Sequence, residues 1–432
     1  MKITVIGTGY VGLVSGTCFA DMGHIVTCVD TDEQKIAGLK RGIVPIFEPG
    51  LDQLVSANHK NGRLKFTSDL TQALKAAEIV IIAVGTPTDI SGLKVDLSFV
   101  NIVAGQIKSI IDHDAVVIMK STVPVGTCLQ LNTMLNDNSK YRLDVVSNPE
   151  FLREGHAIDD FMNPDRIVIG SIDNVQKTIE QLYADHISRK KPLLFTNYET
   201  AELIKYAANT ALAAKVALIN EVASICEKVG GDIKAVAYGV GLDSRIGHKF
   251  LSPGPGFGGS CFPKDVKALA QIADEFGCDT PLIKAVMMSN DTHKADIAKN
   301  ILKLCERPVA ATVITIFGLT YKANTDDVRS SPAIDIINLL LAHGAKIKAY
   351  DPEGMEGAKR ILGSRITFCD DMYSALEDSC LAVILTEWDA FKNIDYQKLE
   401  RAMRKTVIYD LRGVVAKDRL PAGVMLHRLG GG

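Results

Sequence analysis

Residues 250–265 are the part of this sequence with the clearest chemical content. They read FLSPGPGFGGSCFPKD, a glycine-rich stretch whose backbone amides are accessible to a phosphate or a sugar. Cys261 follows the glycines and precedes Pro263, where we predict the start of a helix. A helix N-terminus and the neighbouring Lys264 both lower the pKa of a thiol. Cys261 is therefore a candidate nucleophile, whereas we expect the other eight cysteines to be small buried side chains.

Two pairs of polar residues have the i,i+4 spacing that places both members on one helical face. Glu150 and Glu154 could divide substrate contact from water or proton handling, although a charged helix start is an equally good interpretation. Lys205 and Asn209 could stabilise a developing oxyanion, although taken alone a solvated helix face is the better interpretation. The spacing alone therefore does not establish a catalytic role for either pair.

A glycine turn near the N-terminus has the spacing of a dinucleotide-binding site. Gly7, Gly9 and Gly12 form G-x-G-x-x-G between a predicted strand and a predicted helix. Asp30 ends the next predicted strand, where a carboxylate can bond the ribose hydroxyls of NAD and repel the 2′-phosphate of NADP. An exposed, solvated side chain is the more ordinary interpretation of Lys35. The expected cofactor contacts here are Gly7, Gly9, Tyr10, Val11, Gly12, Asp30 and Lys35.

Two hydroxyl-bearing loops follow other predicted strands of the same region. Thr86 lies in the loop after residues 79–84, and Thr122 in the loop after residues 115–119. Ligands of open α/β sheets bind at the carboxyl ends of the strands, so these hydroxyls could contact nicotinamide or substrate. Taken alone, each loop is more often ordinary turn chemistry.

Strands and helices alternate along the chain and would position these residues. Residues 200–229 lack Gly and Pro and predict one long helix, which connects two lobes or packs against a second subunit. Further helices are predicted at 263–276 and 281–304. The block from residue 312 repeats the N-terminal pattern, since in both a Gly precedes an Asp by seven residues across a strand. We therefore predict an α/β fold with two Rossmann-like, doubly wound parallel-sheet domains joined by a long central helix.

Composition excludes several classes of protein. The 432 residues are 47% hydrophobic and 23% charged with a net charge of −3, so no broad cationic surface is expected for nucleic acid or an anionic membrane. The nine cysteines include no C-x-x-C pair, which disfavours a disulfide framework or a metal site and favours a reduced cytoplasmic protein. No run of eighteen apolar residues predicts a membrane span.

With the glycine turn, the segment NPEFLREG at 148–155 and the block FGGSCFPKD in this order, the chain closely resembles the UDP-glucose/GDP-mannose dehydrogenase family over nearly its whole length. The resemblance implies NAD-dependent, four-electron oxidation of a sugar C6 hydroxymethyl group to a carboxylate, with two NAD per turnover. UDP-glucose is the implied substrate and UDP-glucuronate the product. Cys261 matches the nucleophile that holds the aldehyde as a thiohemiacetal and then as a thioester.

The resemblance also gives roles to the weaker candidates. Lys205 and Asn209 match residues that stabilise the oxyanion, and Asp265 matches a group that activates water or orients Lys205. Thr122 and Glu154 match positions tied to base-and-water chemistry and to NAD contact. The implied catalytic set is Cys261, Lys205, Asn209, Asp265, Thr122, Glu150 and Glu154. Further cofactor contacts are Thr86, Lys264 and Arg329. The implied substrate contacts are Glu150, Phe151, Leu152, Lys205, Asn209, Arg245, Phe250, Leu251, Ser252, Gly254, Gly258 and Lys322.

Three domains and a homodimer follow from the same resemblance. Residues 1–199 are expected to bind NAD, residues 200–305 to form a helical dimerisation domain with the cysteine loop, and residues 306–432 to bind the UDP-sugar. Arg245 matches an arginine that reaches the sugar nucleotide of a neighbouring subunit. The third block has Gly318-Leu319-Thr320-Tyr321-Lys322 in place of G-x-G-x-x-G, which suits a uridine nucleotide better than a second NAD.

Other functions remain open at this point. The same chemistry on GDP-mannose or a UDP-N-acetyl-hexosamine is the nearest alternative. A two-electron hydroxyacid dehydrogenase shares the N-terminal turn and a long helix but needs no nucleophilic thiol. A non-enzymatic nucleotide-sugar sensor would not need Lys205, Asn209, Cys261 and Asp265 together.

Overall fold

A computed structural model of the chain describes residues 1–88, 94–305 and 308–431. It divides into two compact units, Met1–Ala208 and a second that begins at Asn209. The predicted domain boundary after residue 305 adjoins residues 306–307, which lie outside the described residues, as does Gly432. The division into three domains stays a prediction.

The first unit alternates strands with helices, as predicted. Its strands are β1 (Lys2–Ile6), β2 (Ile25–Val29), β3 (Leu64–Thr67), β4 (Ile79–Ile82), β5 (Ala115–Met119), β6 (Leu143–Ser147), β7 (Ile167–Gly170) and β8 (Leu193–Thr196). Its helices are α1 (Tyr10–Asp21), α2 (Glu33–Lys40), α3 (Leu51–Lys60), α4 (Leu70–Leu74), α5 (Ser98–Ile110), α6 (Thr127–Asn136), α7 (Ala157–Met162), α8 (Gln176–Leu182) and α9 (Ala184–Ser188).

These strands form one sheet in the order β3-β2-β1-β4-β5-β6-β7-β8. The inner strands β4 and β5 are apolar and buried throughout because helices cover both faces of a doubly wound sheet. The chain reverses its direction of winding between β1 and β4. The loops after β1, β4, β5 and β6 therefore leave the sheet at the same edge, where open sheets bind ligands.

One pair of strands departs from the predicted parallel sheet. β6 and β7 are antiparallel and pair only at Ser147 and Gly170. A parallel return would need a crossover that travels the length of the sheet, usually within a longer helix. The connection here contains only the six-residue α7, so β7 approaches β6 from the opposite direction.

A 32-residue helix, α10 (Tyr198–Val229), contains the boundary between the two units. It begins two residues before the predicted helix, where the Asn197 side chain accepts a hydrogen bond from the Thr200 amide at 3.0 Å. It ends at the predicted residue, followed by Gly230 at a φ of 76°. The predicted connecting helix is therefore confirmed.

The second unit contains the rest of α10 and a further set of elements. Its strands are β9 (Val313–Phe317), β10 (Lys346–Tyr350), β11 (Thr367–Phe368), β12 (Leu381–Ile384), β13 (Val407–Asp410) and β14 (Met425–Arg428). Its further helices are α11 (Ile233–Gly241), α12 (Phe262–Glu275), α13 (Pro281–Leu304), α14 (Pro332–Ala342), α15 (Met355–Leu362), α16 (Met372–Leu376), α17 (Asp389–Lys392) and α18 (Tyr396–Ala402).

The second sheet repeats the topology of the first. Its order is β11-β10-β9-β12-β13-β14, and every pairing among the described strands is parallel. Asp351 follows β10 as Asp30 follows β2. Each carboxylate accepts hydrogen bonds from the amide and hydroxyl of one threonine, Thr320 and Thr8 respectively. The internal repeat inferred from the sequence is therefore present, and the predicted fold class is confirmed.

Two general properties bear on the class of protein. Among the described residues, no helix combines the length and apolarity that a membrane crossing would require. None of the nine cysteines, all of which lie in the described ranges, forms a disulfide.

Candidate active site

The glycine turn lies between β1 and α1, at the carboxyl edge of the first sheet. Gly7 has a φ of 101°, and a Cβ there would lie 2.5 Å from the Ala83 carbonyl oxygen. A Cβ on Gly12 would lie 2.0 Å from the Gly7 carbonyl oxygen. Around Gly9, by contrast, a Cβ would meet nothing within 4 Å. Two glycines therefore permit the tight turn, and Gly9 leaves space beside the N-terminus of α1 for a pyrophosphate.

Asp30 closes this site on the side of β2. Its Oδ2 accepts hydrogen bonds from the Thr8 amide at 3.0 Å, the Thr8 hydroxyl at 2.6 Å and Lys35 Nζ at 3.0 Å. Although partial burial raises the pKa of Asp30, these donors together with the Asp32 amide hold it at about 2. Asp30 is therefore an anion at neutral pH, and it pairs with Lys35, for which the sequence had favoured a solvated side chain.

Tyr10 has a partner that the sequence did not indicate. Its hydroxyl donates a hydrogen bond to Glu48, a carboxylate that is 6% exposed. Glu48 also accepts from the Gly155 amide at 2.6 Å and the Ala157 amide at 2.8 Å. Burial and the neighbouring carboxylate raise the pKa of Tyr10 well above its usual range. Glu48 thus fastens the start of α1 to the turn that follows Glu154, which is itself buried.

The two threonine loops meet directly. The Thr86 hydroxyl donates to the Thr122 carbonyl oxygen at 2.9 Å. The Ser121 hydroxyl donates to the Val84 carbonyl oxygen at 2.7 Å. These bonds join the segments after β4 and β5 at the carboxyl edge of the sheet, next to the strand that carries the glycine turn.

A buried ion pair joins the segment after β6 to α10. Lys205 Nζ lies 2.7 Å from Glu150 Oε1, and the side chains are 3% and 6% exposed. Burial raises the pKa of Glu150, but Lys205, the Leu152 amide and Lys120 together hold it below its usual range. Glu150 and Lys205 are therefore an ionised pair in the first unit.

Phe151 covers this pair on one side. The Lys205 ammonium lies 5.5 Å from the Phe151 ring centroid, and the Arg166 guanidinium lies 3.5 Å from the same centroid. Both distances are in the range of cation–π contact. Leu152 and Phe151 are half-buried, so each has exposed surface for a ligand.

Cys261 is the N-cap residue of α12, which begins at Phe262, one residue before the predicted start. Pro263 lies in the first turn, where a missing N–H costs nothing. The thiol is half-buried, and its Sγ lies 3.5 Å from the Ser260 hydroxyl. The positive end of the helix dipole thus adjoins the thiol, an arrangement that favours the thiolate.

Asp265 lies one turn into α12 and has two polar partners in the second unit. Asn209 Nδ2 donates to Asp265 Oδ2 at 2.6 Å, and Lys264 Nζ lies 2.9 Å from Asp265 Oδ1. The Asp265 side chain is 1% exposed, and its amide donates to the Cys261 carbonyl oxygen at 2.8 Å. Asn209 is 7% exposed. The structure therefore places Asn209, Asp265 and Lys264 in one contact group beside the cysteine turn.

The glycine loop before Cys261 is held by two helices. Asn220 of α10 accepts a hydrogen bond from the Gly254 amide at 2.9 Å, and His293 of α13 bonds the Gly254 carbonyl oxygen at 2.8 Å. Asn290 of α13 bonds both the amide and the carbonyl group of Phe257. Burial lowers the pKa of His293. The loop is therefore fixed by side chains that the sequence did not single out.

The glycines of this loop lie against the carboxyl edge of the second sheet. A Cβ on Gly258 would lie 2.3 Å from the Ser330 carbonyl oxygen, and one on Gly259 would lie 2.9 Å from the Tyr321 ring. A Cβ on Gly254 would lie 2.8 Å from a guanidinium nitrogen of Arg412. Only glycine permits such close approach.

Several predicted contacts of the second unit have different environments. Leu251 is 5% exposed and belongs to the hydrophobic core, whereas Ser252 is exposed. Phe250 has a φ of 65°, a left-handed conformation that is unusual for an aromatic residue. Lys322 is half-buried in the loop after β9, and its ammonium lies 5.6 Å from the Tyr321 ring centroid. A direct ligand contact of Leu251 would thus have to use its backbone.

Two predicted arginines are largely exposed. The Arg245 side chain is 87% exposed and pairs with Asp243 at 2.6 Å. The Arg329 side chain is 66% exposed and pairs with Asp327 at 2.8 Å. Both remain predicted ligand contacts.

Lys120 and Arg412 are further candidates that sequence reasoning missed. Lys120 follows β5 directly and is 4% exposed. Arg412 follows β13 and donates to the carbonyl oxygens of Leu385 and Tyr321. The sequence signal for such a residue is a basic side chain just beyond an apolar strand. This signal was visible for Lys120, since β5 was predicted. It was not visible for Arg412, because β13 was not predicted. No group of His, Cys, Asp and Glu in the described ranges has the geometry of a metal site.

Sequence models of one family match three consecutive parts of the chain. The NAD binding domain of the UDP-glucose/GDP-mannose dehydrogenase family matches residues 1–187, its central domain residues 199–292 and its UDP binding domain residues 315–417. The first match agrees with the glycine turn and Asp30. The third covers most of the second sheet, from within β9 to β13.

Individual relatives match over nearly the full length. UDP-glucose 6-dehydrogenase of Rhizobium meliloti is 46% identical over 97% of both chains, and UDP-glucose 6-dehydrogenase TuaD of Bacillus subtilis is 47% identical over 99% of this chain and 93% of its own. The solved structure of a UDP-glucose dehydrogenase from Pyrobaculum islandicum is 33% identical and superposes with a TM-score of 0.89, covering 100% of this chain and 98% of that chain. The resemblance inferred from the motifs is therefore confirmed, and the chain belongs to the UDP-glucose/GDP-mannose dehydrogenase family.

Proposed function

We propose that this protein oxidises UDP-glucose to UDP-glucuronate with two equivalents of NAD, using Cys261 as the nucleophile. The relatives named UDP-glucose 6-dehydrogenase support the substrate and the reaction. The observation that carries the mechanism is the position of Cys261 at the N-terminus of α12, next to the buried Asp265 and its partner Asn209. A two-electron dehydrogenase would have no need of this thiol.

The residues of the first unit fit the cofactor. Gly9 leaves open space beside the N-terminus of α1, where a pyrophosphate is stabilised by backbone N–H groups. The ionised Asp30 suits the ribose hydroxyls of NAD and disfavours a 2′-phosphate. When bound, NAD accepts a hydride from the substrate carbon in each oxidation. Thr86, Thr122 and Glu154 are the residues that we expect near its reactive end.

Covalent attachment to Cys261 links the two successive oxidations of the same substrate carbon. The C6 alcohol first loses a hydride and a proton, which gives an aldehyde. The Cys261 thiolate adds to the aldehyde carbon, a C–S bond forms, and the carbonyl oxygen takes a proton to give a thiohemiacetal. Loss of a second hydride and a proton leaves a thioester. Water then adds to the thioester carbon, the C–S bond breaks, and the carboxylate and the thiolate are released together with protons.

Polar side chains would stabilise charge during these steps. Asn209 uses its amide to bond Asp265, which fixes the orientation of the amide group. Its remaining N–H can stabilise a developing oxyanion. Asp265 is buried, and its carboxyl group is placed to accept a proton from the attacking water. Lys205, held by Glu150, supplies a positive charge for the oxyanion.

The UDP-sugar is expected to use the glycine loop and the edge of the second sheet. Arg412 and Lys322 bring positive charge to the loops after β13 and β9, which suits a diphosphate. The same chemistry on GDP-mannose or a UDP-N-acetyl-hexosamine is the second candidate. A UDP-D-ManNAc dehydrogenase from Pyrococcus horikoshii superposes with a TM-score of 0.87 at 27% identity, covering 100% of this chain and 99% of that chain. Comparing kcat/KM for the three sugar nucleotides separates these candidates.

We also infer a homodimer formed through α10. Leu218 and Ile225 lie seven residues apart on this helix, on one face, and are 59% and 58% exposed. Tyr238 on α11 and Leu242 directly after it add exposed apolar surface. A second copy of the chain would bury this surface and bring Arg245 to the neighbouring subunit. The three-domain division and the cytoplasmic location stay predictions, which limited proteolysis and cell fractionation would test.

The stoichiometry of NADH tests the proposal directly. Wild-type protein should form two NADH for each UDP-glucuronate. Cys261→Ser should lose acid formation, because a serine hydroxyl is a much poorer nucleophile than the cysteine thiolate that it replaces. Cys278→Ser, which changes an exposed cysteine beyond the other end of α12, is the matched control and should retain full yield. One NADH per product, or normal acid formation by Cys261→Ser, would refute the mechanism.

A further inference from the structure

Lys120 is a buried charged residue for which the proposed reaction has so far given no use. It follows β5 directly, its side chain is 4% exposed, and its Nζ donates to Asn148 Oδ1 at 3.0 Å. The ring of Phe161 lies on another side, with its centroid 5.8 Å from the ammonium. Lysines are rarely buried unless paired, because desolvating an ammonium is costly. A single neutral acceptor compensates this cost only in part.

Asn148, the partner of Lys120, is held on several sides. Its Oδ1 also accepts from the Tyr183 hydroxyl at 2.6 Å, and its Nδ2 donates to the Val168 carbonyl oxygen at 2.9 Å. Its amide donates to the Met119 carbonyl oxygen at 2.9 Å. These bonds tie the end of β6 to β5 and β7. Glu150 comes two residues later, so the position of Asn148 determines where the Glu150 carboxylate can lie.

Lys120 also interacts electrostatically with both members of the Glu150–Lys205 ion pair. We propose that Lys120 is a positioning residue of the oxidation: its buried ammonium fixes Asn148 and supplies a second positive charge that keeps Glu150 ionised and in place to orient Lys205. This inference rests on the proposed function. Lys120 itself contacts neither substrate nor cofactor in the proposal, and it acts through Asn148 and Glu150.

The surroundings of Lys120 determine the expected pH dependence. Burial lowers the pKa of Lys120 to about 8, the Glu150 carboxylate opposes this shift, and the positive charge of Lys205 adds to it. His186 of α9 and Tyr183 at the end of α8 face the same region. Burial lowers the pKa of His186 and raises that of Tyr183 beyond its usual range, so both are neutral near pH 8. The second positive charge is thus present at pH 7 and is lost as the pH rises through about 8.

Lys120→Met removes the charge and keeps the length of the side chain. We expect kcat with UDP-glucose at pH 7 to fall at least tenfold, with little change in KM for NAD. The decline of wild-type kcat above about pH 8 should be absent from the variant, because its side chain is already neutral. Lys120→Arg should restore part of the activity. Lys108→Met is the matched control, since Lys108 bonds only the carbonyl oxygens of Met134 and Asp137 away from this region, and it should behave as wild type.

A milder variant covers the case in which Lys120→Met does not fold. Asn148→Asp is isosteric and places a negative charge 3.0 Å from the ammonium, so it should move the alkaline decline of kcat to higher pH. An unmoved decline in Asn148→Asp, or wild-type kcat and pH profile in Lys120→Met, would overturn the inference.

A spectroscopic readout separates the inference from the proposed function. The carboxylate infrared band that wild type shows and Glu150→Gln lacks reports the ionisation of Glu150 without turnover. Lys120→Met should raise the pKa of Glu150 by this measure, and an unchanged pKa would overturn the inference. Absence of NADH formation by wild-type protein with UDP-glucose would instead refute the proposed function.

Discussion

Lys205 Nζ lies 2.7 Å from Glu150 Oε1 in the interior of the first unit. Removing one partner of a buried ion pair leaves the other charge uncompensated, which costs roughly 3–5 kcal/mol. Glu150→Gln should therefore lower the free energy of unfolding by about this amount, as measured by urea denaturation. Glu356→Gln, which breaks an exposed i,i+3 pair with Lys359, is the control and should change the midpoint little. If the urea midpoint of Glu150→Gln equals that of the wild type, the ion pair does not stabilise the fold as proposed.

The same carboxylate should make stability depend on acid. The folded pKa of Glu150 lies below its usual value, so ionised Glu150 stabilises the fold above its unfolded pKa of about 4.3. This contribution is lost as the pH falls through the lower folded pKa. The difference in unfolding free energy between wild type and Glu150→Gln should therefore be constant near pH 7 and shrink below about pH 4. Urea titrations at several pH values measure it, and a difference that grows in acid would be inconsistent.

Asp265→Asn keeps the shape of the side chain but removes its charge. Asn209 can still find an oxygen acceptor, whereas Lys264 loses its ionic partner. If Asp265 handles the proton of the attacking water, kcat should fall by about 10²-fold or more, with a smaller change in KM for UDP-glucose. Asp274→Asn near the other end of α12 removes an exposed pair with Lys284 and should leave kcat unchanged. Steady-state NADH production at pH 7 distinguishes these outcomes.

Asp30→Ser should relax the choice of cofactor. The wild-type carboxylate is ionised and repels a 2′-phosphate, whereas serine keeps a polar side chain without the charge. Lys35, which then loses the Asp30 partner, can attract the phosphate. We expect the ratio of kcat/KM for NADP to that for NAD to rise roughly tenfold or more. Asp52→Ser on the exposed side of α3 controls for net charge. An unchanged ratio would mean that Asp30 does not lie at the ribose.

Gly258→Ala tests the close approach of the cysteine loop to the second sheet. The added Cβ would lie 2.3 Å from the Ser330 carbonyl oxygen, so the loop must move. Because this loop is the proposed sugar-nucleotide site, KM for UDP-glucose should rise at least tenfold while the Kd for NAD is retained. Gly105→Ala is the matched control, since its Cβ would meet only the end of Met134 at 3.9 Å. Equal KM values for both variants would argue against this role of the loop.

Leu218→Asp combined with Ile225→Asp tests the proposed dimer. Both residues lie on the exposed apolar face of α10, so two carboxylates there would prevent its burial. Sedimentation should give a dimer for the wild type and a monomer for the double variant. Ile172→Asp, at an equally exposed isoleucine of the first unit, should remain dimeric. A monomeric wild-type protein would refute the α10 interface.

The sequence predicted the long helices and several of the buried strands, but it missed other short strands. Helix α13 occupies the predicted residues 281–304. Pro281 marks its start, and over 24 residues the helical pattern is clear despite single residues of low helix propensity. Strands β3 and β8, four residues each, were not predicted. Segments such as LKFT at 64–67 have too few residues to show a period, and their strand structure depends on pairing with neighbours distant in sequence.

Site residues could be predicted from the sequence where a motif specifies their local geometry. Residues whose role depends on being buried could not. Gly7 and Asp30 have a spacing that specifies their place in the fold, and Cys261 is identified by the resemblance. Lys120 and Glu48 show no such pattern, since only the packed structure reveals that they are 4% and 6% exposed. A buried charge depends on contacts between separate elements, which a single sequence does not report.

Asp351 occupies in the second sheet the place that Asp30 has in the first, but it has a different environment. Its Oδ2 accepts the Trp388 indole N–H at 3.2 Å as well as the amides of Leu319 and Thr320, and its side chain is enclosed. Asp30, the equivalent acid of the first unit, is 13% exposed, whereas Asp351 is 1% exposed and fastens buried groups together. Engineering a G-x-G-x-x-G turn at Gly318 would therefore not create a second dinucleotide pocket unless the indole were removed too. The two sheets therefore share a strand order without sharing the capacity to hold the same kind of ligand.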